Sequence, residues 1–136
     1  MTLPDTSAWI EYLRGTRSLL DRRMIELVET DAELAVTEPI EMELLNGERS
    51  GSGLEASQRF LRSFTWMPFV TSTDFIGATA IYRTCRRQGV TPRGSLDCMI
   101  AAVALRNDAV LLAADVDLVR IAQIMGIRLD PASVLP

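Results

Sequence analysis

Apolar positions recur at helical spacing along most of the chain, broken by a few short apolar runs of strand length. Residues 2–4 predict a first strand and 7–14 a helix ended by Gly15. Over 19–28, Leu20, Met24, Leu27 and Val28 fall on one helical face. Residues 34–36 suit a short strand. Thr37 is placed to cap the next helix, and Pro39 to sit in its first turn, where a missing N–H costs little. That helix is expected to run to about Gly47, and Ser50-Gly51-Ser52-Gly53 reads as a loop between helices. Two amphipathic helices follow, over 54–64 and 73–87, the second stopped near Gly89. Residues 95–106 are apolar or small nearly all round, as in a buried helix. Residues 109–113 read as a buried strand, Leu118, Ile121, Ala122 and Met125 mark a helix face, and 127–129 predict a last strand. Short strands alternating with longer helices give an α/β fold with a parallel sheet.

Composition narrows the chemistry. The length, 136 residues, suits one domain with one core. No apolar run reaches the ~18–20 residues of a membrane helix, and residues 1–10 lack the basic start of a signal peptide, so a cytoplasmic protein without membrane partners is expected. Cys85 and Cys98 lack zinc-site spacing and read as small apolar residues. There is no histidine, which removes imidazole triads and histidine metal ligands. The net charge of −4 argues against a nucleic-acid binder and needs an answer. All 14 basic residues are arginine, whose forks hold phosphates in pairs, although base composition accounts for this as simply.

Four acids stand out by position. Asp5 directly follows the first strand, and Asp115 follows the strand over 109–113. Ends of parallel strands line one edge, where ligands bind. Helix capping explains either residue alone. Glu43 lies on the stripe Ile40, Glu43, Leu44, Gly47, where an acid needs a partner, whereas Glu41 falls elsewhere on the wheel and reads as solvated. Asp97 enters the first turn of the apolar helix, with Ser95 as the expected cap. Four converging carboxylates repel one another. A hard divalent ion, Mg²⁺ or Mn²⁺, relieves that conflict and supplies phosphodiester chemistry, and such a site also answers the negative charge.

These segments resemble the PIN-domain family and, within it, the VapC-type toxins. Met1-Thr2-Leu3-Pro4-Asp5-Thr6-Ser7-Ala8-Trp9 resembles its opening strand, Asp-Thr-Ser turn and aromatic helix. Glu43-Leu44-Leu45-Asn46-Gly47 is similar to its Glu-Leu-Leu-x-Gly segment. Ser95-Leu96-Asp97-Cys98-Met99-Ile100-Ala101-Ala102 resembles its third acidic motif, and Leu111-Leu112-Ala113-Ala114-Asp115-Val116-Asp117-Leu118 its last. The resemblance covers essentially the whole chain. It implies a single PIN domain over residues 1–136, a three-layer α/β/α sandwich with a short parallel sheet. It implies Asp5, Glu43, Asp97 and Asp115 as the acidic site, with Mg²⁺ or Mn²⁺ held by Asp5, Asp97 and Asp115. Glu43 would bind a metal-bound water or assist as a base. Asp117 is an auxiliary ligand or merely an acid in a first turn. Ser7 holds the Asp5 turn and reaches toward the phosphate, and Arg93 is a candidate phosphate contact or a plain exposed arginine.

The activity so implied is that of a toxin endoribonuclease cutting tRNA or rRNA, neutralised by a VapB-like antitoxin and commonly homodimeric. Two departures bear on it: Pro4 replaces a residue able to donate in a sheet, and Ala113 stands where a supporting hydroxyl is common. A receiver module would need a lysine, which is absent, and a haloacid-dehalogenase-like phosphatase would need Asp-x-Asp where Asp5-Thr6-Ser7 stands. A PIN-like module that binds RNA or protein without cutting remains the alternative.

Overall fold

A computed structural model describes residues 1–133. The chain runs β1 (Thr2–Pro4), α1 (Thr6–Arg14), α2 (Leu19–Glu29), β2 (Ala35–Val36), α3 (Glu38–Asn46), α4 (Gly51–Arg62), β3 (Thr65–Trp66), α5 (Thr71–Arg87), α6 (Ser95–Arg106), β4 (Val110–Leu112) and α7 (Val116–Met125). Two parallel ladders, β1 with β4 and β2 with β3, are joined by the bridge Thr2↔Leu34. A further bridge, Leu111↔Leu129, adds the segment after α7 at the other edge. Where a last strand is expected, a single bridge stands.

Pro4 explains why the β1–β2 ladder is so short. Alternate residues of a parallel strand bond to opposite neighbours. Asp5 N donates to Leu112 O, on the β4 side, and Thr2 N donates to Glu33 O, on the β2 side. Pro4 therefore falls on the β2 side, where it has no N–H to give.

The spatial order β3-β2-β1-β4 reverses direction at β1. Right-handed crossovers then put α1 to α4 on one face and α5 to α7 on the other, giving the three-layer α/β/α architecture. The core between them holds Leu3, Trp9, Met24, Val36, Ile40, Ile100, Leu111, Leu112 and Ile121, all fully buried. Trp9 anchors an aromatic cluster with Phe64 at 4.9 Å and Phe60 at 6.1 Å between ring centres. Trp66 is half-buried beneath the Arg62 guanidinium, and Phe69 packs edge-on against Phe75. Cys85 and Cys98 are buried, and burial raises both thiols, Cys98 to about 11, so they act as small apolar residues.

The helix starts correct two expectations and qualify a third. Ser50 to Gly53 is no loop: Ser50 is the N-cap of α4 and its hydroxyl accepts from Gly53 N at 3.0 Å. Gly94, not Ser95, is the N-cap of α6. Thr37 is the N-cap of α3, yet its buried hydroxyl makes no capping bond.

Candidate metal centre

β1 and β4 are neighbours at the point where strand order reverses, so their C-terminal ends open one crevice. Asp5 and Asp115, which follow them, each cap the next helix through Oδ1: Asp5 accepts from Ala8 N at 3.0 Å and Asp115 from Leu118 N at 3.1 Å. Capping leaves Oδ2 of each residue for other work. α6 and α7 pack together and bring Asp97 and Asp117 to the same place. Asp97, Asp115 and Asp117 each offer an oxygen within 4.8 Å of the others. Asp5 and Glu43 stand beside this trio, close enough for both to raise the pKa of Asp97.

The grouping differs in one respect from that read in the sequence. Asp117, expected as auxiliary, belongs to the close trio, while Asp5, expected as a ligand, sits next to it in a more buried position, 3% exposed. Arg93 pairs with Asp117 at 2.8 Å, with its own side chain 83% exposed.

Hydroxyls hold the acids in place. Ser7 Oγ donates to Asp5 Oδ1 and accepts from Ala114 N at 3.1 Å, tying the loops after β1 and β4 together. Thr6 Oγ1 donates to Glu43 Oε1 at 2.6 Å. Ala113 brings no hydroxyl of its own, but Ser133 Oγ accepts from Ala113 N at 3.1 Å and donates to Leu111 O at 3.2 Å. Ser133 carried no signal in the sequence, because its partner is 20 residues away in a segment without periodicity.

The electrostatics set the crevice apart. Burial pushes Asp5 up to about 6, against the hydrogen bonds from Ser7 and Ala8, with Asp115 and Glu43 adding repulsion. Asp97 rises further, to about 7, from burial and then from Asp115, Glu43, Asp117 and Asp5, with no hydrogen bond to offset the shift. Of the buried acids elsewhere, Asp21 accepts only from Arg17 N, at 2.8 Å, and its Oδ1 has no partner, but three others are treated differently. Asp74 is gripped by Arg106, Asp130 by Arg23 and Glu41 by Arg62, each through two guanidinium bonds. Glu41 is thus a buried, paired residue, 8% exposed, and not the solvated one its wheel position suggested. No arginine forms an ion pair with Asp5 or Asp97 among the described residues, although Arg93, bound to Asp117, lies close enough to feel the charge of Asp97. The donor set is entirely carboxylate oxygen, which fits a hard divalent cation and not a thiolate- or imidazole-seeking one.

Comparison with known proteins is consistent along the length. Residues 2–124 match the PIN domain. The chain is 37% identical over 129 residues to Ribonuclease VapC11 of Mycobacterium tuberculosis, covering 94% of this chain and 96% of that protein. The structure of DNA-bound VapBC from Salmonella typhimurium superposes with a TM-score of 0.71 at 24% identity, over 95% of this chain and 96% of that one. FitAcB from Neisseria gonorrhoeae gives 0.70 at 16% identity, over 97% and 98%. The structural likenesses, below 25% identity, speak for the fold.

Proposed function

The chain belongs to the PIN-domain family, and from that premise we propose that it is a VapC-type toxin: a divalent-metal-dependent endoribonuclease, active in the cytoplasm and neutralised by a VapB-like antitoxin. The observation that carries this reading is the contrast among buried acids. Asp74, Asp130 and Glu41 each have their own guanidinium, whereas Asp5 and Asp97 have no cation paired to them and are repelled by the acids around them. A fold does not gather uncompensated charge in this way without a cation to hold. The 37% identity to a protein named as a ribonuclease points the same way.

In this reading Asp97, Asp115 and Asp117 would hold Mg²⁺ or Mn²⁺, with Asp5 joining from the deeper position. When bound, the ion offsets the negative charge of the scissile phosphate and of the leaving oxygen. Ser7 keeps Asp5 and the backbone at Ala114 in register. Thr6 holds Glu43 by Oε1 and leaves Oε2 to accept the proton of the attacking water. Water attack leaves a 5′-phosphate and a 3′-hydroxyl. Exposed Leu13, Leu19, Met42 and Leu54 on α1 to α4 offer apolar contacts to an antitoxin segment, and exposed Phe75 and Ile76 on α5 offer them to a second copy of the chain. Structured RNA, tRNA or rRNA, is the substrate class we assign.

The deciding experiment incubates the purified protein with total tRNA and rRNA across a Mg²⁺ and Mn²⁺ series, beside the Asp97→Asn variant. Metal-dependent cleavage with 5′-phosphate ends, lost in the variant while its melting transition stays intact, is expected. Cleavage unaffected by both EDTA and the variant removes the mechanism. Absence of any cutting by the wild type favours the binding-only module.

A further inference from the structure

Charge is unevenly distributed along this acidic chain. Residues 75–96 contain Arg83, Arg86, Arg87 and Arg93 and no acid at all, although the whole chain carries a net charge of −4. We propose that Arg83, Arg86 and Arg87, at the C-terminal end of α5, grip the backbone phosphates of the RNA strand that enters the acidic crevice; the proposal rests on the ribonuclease reading above.

Topology puts this end of α5 beside the crevice. α5 and α6 form an antiparallel hairpin, fixed at its far end by the two bonds of Arg106 to Asp74, both 2.8 Å. The C-terminal turns of α5 therefore lie next to the start of α6, where Asp97 sits and where Arg93 meets Asp117. Arg83, Arg86 and Arg87 are spaced to share one helical face. All three are exposed and together line a shallow depression. Arg120 of α7 shares a neighbouring depression with Gln88 and Val90, so the basic surface continues past the helix end.

These guanidinium groups are free for an anion. None of the three takes part in an ion pair among the described residues, in contrast to Arg23, Arg62, Arg93 and Arg106. Two are partly ordered in advance: Arg87 Nη2 donates to Thr84 Oγ1 at 3.1 Å, and Arg86 lies 5.9 Å from the centre of the Tyr82 ring. A planar fork held in this way matches phosphate oxygens in pairs and loses little freedom on binding. An acidic pocket repels a polyanion, so a separate cationic surface is needed to bring the strand to it.

The test measures binding of a fluorescein-labelled single-stranded RNA of mixed sequence in EDTA, where nothing is cut, across a salt series. Each phosphate neutralised on a single strand contributes about 0.7 to the slope of log affinity against log salt. The triple variant Arg83→Gln, Arg86→Gln, Arg87→Gln should flatten that slope by about 2 and weaken binding at least roughly tenfold at low salt. A control triple, Arg14→Gln, Arg17→Gln, Arg22→Gln, makes the same charge change at the α1–α2 turn and should keep the wild-type slope. Equal losses in both triples reduce the effect to net charge and overturn the proposal. If the wild type cuts RNA with metal but the α5 triple retains its KM and salt slope, the grip is wrong and the ribonuclease stands. If the wild type cuts nothing but the α5 triple still flattens the slope, the grip stands and the ribonuclease reading falls.

Discussion

At the scale of single residues, the crevice depends on which oxygen of each acid is engaged. Ser7 uses both capacities of its hydroxyl, donating to Asp5 and accepting from Ala114 N. Replacing it with Ala removes one donor from a carboxylate that is 3% exposed and leaves a backbone N–H short of an acceptor. Loss of a hydrogen bond to a charged group costs about 1.5–3 kcal/mol, and half-exposure of the other partner argues for the low end. Ser7→Ala should therefore lower stability by about 1.5 kcal/mol in urea unfolding. It should also reduce kcat by about tenfold or more with little change in KM, because Asp5 is displaced while the RNA surface is not. Ser7→Thr keeps the hydroxyl and should restore most of the rate. A wild-type kcat in Ser7→Ala would reduce Ser7 to a packing residue.

At the scale of elements, the hairpin of α5 and α6 carries Asp97 on one end and is clasped at the other by Asp74 and Arg106. Asp74 is 1% exposed, accepts from Val70 N at 2.7 Å at the start of α5, and is held below the usual carboxylate range mainly by Arg106. Removing one partner of a buried pair leaves the other without compensation. Arg106 is partly exposed, which limits the penalty, so Asp74→Asn should cost about 2 kcal/mol in chemical denaturation. A double-mutant cycle with Arg106→Gln should show a coupling of about 1 kcal/mol or more, and additivity within error would mean that the clasp contributes nothing. Periodicity made most of these elements legible: α2, α5 and α7 bury residues that recur at helical spacing, among them Leu20, Met24 and Leu27, then Ala78, Ile81 and Cys85, then Leu118, Ile121 and Ala122. It could not show long-range pairing. Glu41 reads as solvated on its own helix because Arg62, the residue that buries it, arrives from α4, 21 positions later. The two-residue strand β3, Thr65–Trp66, is too short to have a period. The start of α4 is hidden because glycine and serine favour turns, and only the Ser50 cap reveals a helix there. At the crevice, Asp5 and Asp115 were legible from their place after strands, whereas the closeness of Asp117 to Asp97 depends on how α7 packs on α6.

At the scale of the whole molecule, the crevice couples folding to protons and to metal. Asp5 and Asp97 have folded-state values of about 6 and about 7, above the ordinary 3.8. An acid whose pKa is raised on folding binds more protons in the folded state than in the unfolded chain. Its contribution is therefore most favourable below the ordinary value and is lost as pH rises from about 4 through about 7. Asp74 works in the opposite sense: its lowered value means that stability is lost as pH falls below the ordinary carboxylate range. The metal-free protein should thus be most stable in mildly acidic solution and lose a few kcal/mol toward neutrality, because a tenfold change in proton affinity corresponds to about 1.4 kcal/mol. Solvent screens the half-buried Asp97, so its share is smaller than its pKa alone implies. A divalent ion competes with those protons, so its stabilisation should be small at about pH 5 and grow as Asp5 and Asp97 ionise. Melting curves in EDTA and in excess Mg²⁺, taken from about pH 5 to about pH 8, should diverge as pH rises. Asp97→Asn removes the most strongly repelled charge, so in EDTA at neutral pH it should melt above the wild type, while gaining less from Mg²⁺. Parallel curves for the wild type with and without ion, or a variant that melts lower in EDTA, would mean that the acids are not held in mutual conflict, and the case for a cation between them would go with that result.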